Sequence, residues 1–124
     1  MEYSELFVRL QNEVAVVTFL KKNGQVRNMV CTRDYDTLKM LQDYNGYGLD
    51  QIDRRCSIGN KLIGVIDIQI QEARSFSIER VLSLSFAGKI DTEEKLEKLL
   101  IDFNEFKEEY EKISSSSMTM DMLD

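Results

Sequence analysis

The pair Asn23-Gly24 sits between two runs that favour extended chain, Glu13–Lys21 (EVAVVTFLK) and Gln25–Thr32 (QVRNMVCT). Both residues of the pair tolerate positive φ, so the segment predicts an antiparallel hairpin. The first run, rich in Val, Thr and Phe, reads as a strand buried on much of both faces. A second constraint lies between Arg74 and Phe86. Phe76, Ile78, Leu82, Leu84 and Phe86 share one parity, interrupted by Arg80, while Ser75, Ser77, Ser83 and Ser85 hold the other. That alternation predicts two strands with one face in a core and one in water, broken at Glu79-Arg80. With Lys61–Gln69 (KLIGVIDIQ) as a further strand after a long loop, five strands are expected in a mainly β chain of the α+β class.

Helical signals flank these strands. Tyr3–Asn12 carries Leu6, Phe7 and Leu10 at helical spacing behind Ser4, an N-cap residue type, and predicts a short helix with a strand as the alternative. Residues 33–60 form a connection too long for filler, with an amphipathic piece at Tyr35–Tyr44, a glycine-tyrosine stretch and a charged cluster at Asp50–Arg55. After residue 90, Asp91 and Glu94 resemble a capping box. Leu96, Leu99, Leu100, Phe103, Phe106, Tyr110 and Ile113 then recur every three or four residues. This amphipathic helix either packs on the strands or binds a partner. The expected division is one domain over 1–113, then a Ser-rich linker and an acidic-hydrophobic tail over 114–124, disordered in isolation.

A chain of 124 residues has room for one core of moderate size. It contains no histidine, which removes imidazole-based nucleophilic catalysis and imidazole metal ligands. Cys31 and Cys56 stand far apart and read as free thiols in a reducing compartment. The six glycines make no phosphate-cradling loop. Acidic pairs such as Asp34 and Asp36 read as loop charges or helix caps. No enzyme activity, cofactor or metal is therefore expected. No apolar run approaches the length of a membrane span, and the acidic N-terminus is unlike a signal peptide, so a cytoplasmic location with no membrane partner is expected. The net charge of −6 is uneven: residues 91–124 hold eleven Asp/Glu and four Lys/Arg, while residues 1–90 are nearly neutral.

The run Val17-Thr18-Phe19-Leu20-Lys21-Lys22-Asn23-Gly24-Gln25-Val26-Arg27-Asn28-Met29-Val30-Cys31-Thr32 resembles a signature of small tailed-phage proteins, VTF-x-KK-D/N-G-x-x-R-x-M-x-C-T. Gly64-Val65-Ile66-Asp67 and Ala73-Arg74-Ser75-Phe76-Ser77-Ile78 are similar to a second block of that family. It is the phage WYL-like family, with an Sm-like SH3 β-barrel fold. Ile66 and Ala73 stand where the family usually carries tryptophan. The resemblance implies a five-stranded SH3-like or Sm-like barrel of phage origin, acting in the host cytoplasm.

Two kinds of binding surface follow from the residues. Lys21, Lys22 and Arg27 cluster at the hairpin, and Arg33, Arg54, Arg55, Lys61 and Arg74 extend the patch if the long loop folds back. Tyr35, Tyr44 and Tyr47 are candidate stacking residues beside it, as a single-stranded nucleic-acid-binding barrel would need. The alternative surface is acidic and apolar: Phe103, Phe106 and Tyr110 on the last helix, with Met118, Met120, Met122 and Leu123 in the tail. The favoured expectation is a non-catalytic accessory protein that binds a host or phage protein and modulates its machinery. Single-stranded nucleic acid is the alternative partner, and a homo-oligomer is the third reading.

Overall fold

The computed structural model describes residues 2–41 and 49–106. Helix α1 (Tyr3–Leu10) buries Leu6 and Leu10 completely and starts at Glu2, without a side-chain cap. Ser4 is thus inside the first turn rather than at the cap. The helix start is fixed from outside, by the Tyr3 hydroxyl donating to the Leu62 carbonyl at 2.9 Å.

Strands β1 (Val14–Leu20) and β2 (Val26–Thr32) form the expected hairpin, pairing Leu20 with Val26 and Ala15 with Cys31. Its turn differs from the expected one. Gly24 takes φ +86°, Asn23 stays at negative φ, and the Gly24 amide donates to the Lys21 carbonyl at 2.9 Å. The Asn23 side chain instead accepts from the Gln25 amide at 3.0 Å. A turn followed by one left-handed glycine leaves Lys21 and Lys22 at the tip, both exposed.

The long connection contains two short helices, α2 (Tyr35–Leu38) and α3 (Leu49–Arg54). Strands β3 (Leu62–Asp67) and β4 (Glu72–Ser77) follow, then a 3-10 turn (Ile78–Arg80) and β5 (Val81–Gly88). All ladders are antiparallel, in the order β4-β3-β2-β1-β5. The 3-10 turn falls at the predicted break. The parity of β5 does not hold: a register shift between Thr18 and Phe19 places Val81, Leu84 and Phe86 toward the core and turns Leu82 outward, 56% exposed. A bulge inserts one residue, and every side chain beyond it changes face.

The sheet is apolar on both faces. The inner face carries Ala15, Val17, Phe19, Met29, Cys31, Ile63, Val65 and Phe76, covered by α1. The outer face carries Val14, Val30, Ile66 and Ala73, covered by Leu38 of α2, Ile52 of α3 and a last helix, α4 (residues 93–106). Leu96 and Phe103 of α4 are buried there, with Leu99 and Leu100 partly buried, so the helix packs on its own sheet. Its cap is Thr92, whose hydroxyl accepts from the Lys95 amide at 3.2 Å, rather than Asp91, which pairs with the Lys95 ammonium at 2.7 Å. Glycine is required at position 64, where a Cβ would strike the Ile52 carbonyl as α3 crosses β3.

The five strands do not close into a barrel. β4 and β5 end the strand order at opposite sides, joined by the 3-10 turn and not by a ladder. A physical reason lies in the residues: Arg27 shares the inner parity of Met29 and Cys31, and Arg74 that of Phe76. Closure over those positions would desolvate two guanidinium groups.

Candidate binding site

The unclosed end of the inner face opens into a concavity of about 540 Å³. Its apolar lining includes Leu62, Phe19 and Phe76, and the two phenyl rings stand 5.8 Å apart at the limit of the inner core. Its walls are the β1–β2 hairpin on one side and β4 with the 3-10 turn on the other. Lys21, Lys22, Arg27, Arg74 and Arg80 all line it.

Some of these charges are matched and some are not. Arg27 pairs with the buried carboxylate of Asp67 at 3.1 Å, Arg74 with Glu72 at 2.7 Å, and Lys61 at the rim with Glu79 at 3.2 Å. The Arg80 guanidinium donates to the Lys21 carbonyl at 3.2 Å, which ties the 3-10 turn to the hairpin. Lys21 and Lys22 make no ion pair among the described residues. The mouth therefore has a surplus of positive charge on a wall open to water, in a protein whose overall charge is −6.

Of the basic residues picked out in the sequence, the fold brings together Lys21, Lys22 and Arg27, with Arg74 and Lys61 beside them. Arg33 belongs elsewhere. Its side chain is 5% exposed, and its guanidinium donates to the Gly64 carbonyl, to Asp53 at 2.6 Å and to the Cys56 sulfur at 3.3 Å, while lying over the Phe7 ring. A group so enclosed braces the loop against α1 and offers no charge to a ligand. Arg54 ends α3 and Arg55 follows it, and neither lines the mouth; Arg54 is exposed and stands 3.9 Å from Asp50. Tyr35 is half in water on α2 with the Lys39 ammonium over its ring, also outside the mouth. Phe103 is buried against the sheet and Phe106 is 45% exposed. Tyr44, Tyr47, Tyr110, Met118, Met120, Met122 and Leu123 lie outside the described residues.

Arg80 was legible only as an interruption of the apolar parity. A cation replacing an apolar residue on an inward parity was the signal, and Arg74 beside Phe76 carries it too.

The acidic pair Asp34 and Asp36 serves α2. Asp34 is buried, accepts from the Asp36 amide at 3.1 Å and from the Thr37 hydroxyl at 3.0 Å, and holds the Lys89 ammonium at 2.9 Å. That bond raises the Lys89 pKa, while the bond from Lys39 lowers that of Asp36. Both cysteines are free. Burial pushes the Cys31 thiol far above its usual range, so it stays protonated and inert. Cys56 receives the Gly64 amide at 3.2 Å and borders a second, apolar concavity of about 510 Å³ beside α1, lined by Tyr3, Phe7, Val8 and Ile58. Among the described residues no three His, Cys, Asp or Glu side chains are grouped to hold a metal ion, and no helix is long and apolar enough to cross a membrane.

No family model, curated protein or solved structure matches this chain.

Proposed function

We propose that the chain is a non-catalytic binding module that grips an anionic partner at the mouth of its open sheet. The observation that carries this reading is the convergence of Lys21, Lys22, Arg27, Arg74 and Arg80 on one concavity, with the two lysines unmatched by any described carboxylate. Cations gathered on a concave, partly apolar wall focus the field and draw anions to it. The site thus lies on the strands and their hairpin, with α4 serving as the cover of the outer core.

The strand order, the N-terminal helix and the 3-10 turn before the last strand support a finer reading of the fold, an SH3-like or Sm-like barrel left open between β4 and β5. The hairpin signature Val17–Thr32 is what motivates reading the chain as an accessory protein of a phage, acting in the host cytoplasm on a host or phage protein.

The test is retention on immobilised heparin, a generic polyanion, under a rising salt gradient. The protein is expected to bind at low salt, and the Lys21→Glu/Lys22→Glu variant to elute earlier or flow through. Equal elution of the two proteins, or no retention of either, would overturn the mouth as the binding surface.

A further inference from the structure

Four consecutive residues of β4, Arg74 to Ser77, line the mouth. Side chains along a strand alternate between faces, so a concavity that meets four in a row runs along the strand's edge. Among the described residues that edge is open: β4 is the terminal strand and its ladder is with β3 alone. The opposite wall is the end of β1 and the hairpin, Phe19 to Lys22. The mouth is therefore the slot that one more strand would fill.

We propose that the partner is a protein presenting an extended acidic segment, which pairs as a sixth strand along the free edge of β4 with its carboxylates on Lys21, Lys22 and Arg80. This inference rests on the mouth being the recognition surface. Three observations favour it. The β3–β4 ladder runs from Leu62–Ser77 to Asp67–Glu72 without a register shift, so the β4 edge is a regular template. The other terminal strand, β5, is interrupted by shifts at both ends of its ladder with β1, a form of edge that resists added strands. Two carboxylates stand among the cations around the mouth, Glu72 on Arg74 and Glu79 on Lys61. Fixed negative charges in that position repel a continuous run of phosphates more than they repel a few separate carboxylates. The aromatic rings in the mouth do not favour nucleic acid either: Phe19 is 7% exposed and Phe76 2%, so neither offers a face for base stacking.

The experiment uses the full chain and fluorescence anisotropy at low salt. The probes are a labelled peptide of alternating Glu and Val, two versions of it N-methylated on the Glu or on the Val residues, and a single-stranded oligothymidine. A strand added to an edge uses the amides of one parity only. One methylated peptide should therefore bind about tenfold more weakly or worse, while the other binds like the parent. The Lys21→Glu/Lys22→Glu variant should lose the parent peptide. If both methylated peptides bind like the parent, strand addition is wrong. If oligothymidine binds through the lysines and the peptide does not, the mouth stands and the acidic segment falls. If neither probe binds, the mouth itself falls.

Discussion

Arg27 and Arg33 leave the same strand six positions apart, one within β2 and one just beyond it, and they meet opposite fates. Arg33 is enclosed beneath α1, where the chain has folded over it and given its guanidinium Gly64, Asp53 and Cys56 as partners. Arg27 lies at the other end of the inner face, 31% exposed, paired with Asp67 and with an open mouth in front of it. The sheet is thus sealed at one end by a helix and a buried cation and left unsealed at the other by cations that resist burial. Residue type alone does not separate a brace from a binding group; what covers it does.

The comparison predicts large effects on stability at the sealed end and small ones at the mouth. The largest is expected for Gly64→Ala, whose Cβ has no space beneath the Ile52 carbonyl: about 3 kcal/mol or more, read as the loss or collapse of the urea transition. Arg33→Met removes the bonds to Gly64 and Asp53 and should cost about 2 kcal/mol, with heparin retention unchanged. If retention falls in step with that of the lysine variant, the two ends are not separate in function.

Next comes a dependence on pH. The Cys31 thiol is raised by burial in the folded protein, whereas in the unfolded chain it titrates near its usual value of about 8.5. Its contribution is complete below that pH and falls by about 1.4 kcal/mol per unit above it, because only the unfolded chain releases the proton. Denaturation midpoints measured from neutral to alkaline pH should show this decline, and Cys31→Ala should flatten it. The smallest effect is expected at the mouth: Lys21→Glu/Lys22→Glu should stay within about 0.5 kcal/mol of the parent by the same urea assay.

The local elements were legible because their signals are local. The hairpin followed from Asn23-Gly24 between runs of strand-forming residues, β3 from its apolar run, β4 and β5 from alternation, and α1 and α4 from their apolar spacing. What the chain concealed depends on contacts between distant segments. Nothing near Arg33 announces that Phe7 and Gly64 will enclose it, so it read as one more surface cation. Leu82 read as core, because a bulge set by the pairing of β1 with β5 is invisible in β5 alone. Phe103 read as packing on the strands or, alternatively, as binding a partner, and the outer apolar face of the sheet beneath it decides for packing. The mouth was half legible: the hairpin lysines stood out, whereas Arg80 reaches them through the 3-10 turn.

The pairing of β1 with β5 also has a consequence for the order of folding. β1 finds β2 across a short turn, but its other edge waits for residues 81–88, so that ladder closes a long loop and carries a large entropic barrier. The Arg80–Lys21 bond sits at the end of that late ladder. Hydrogen exchange should therefore find β5 and the 3-10 turn opening before the hairpin does, so the mouth would lose one wall while the hairpin persists.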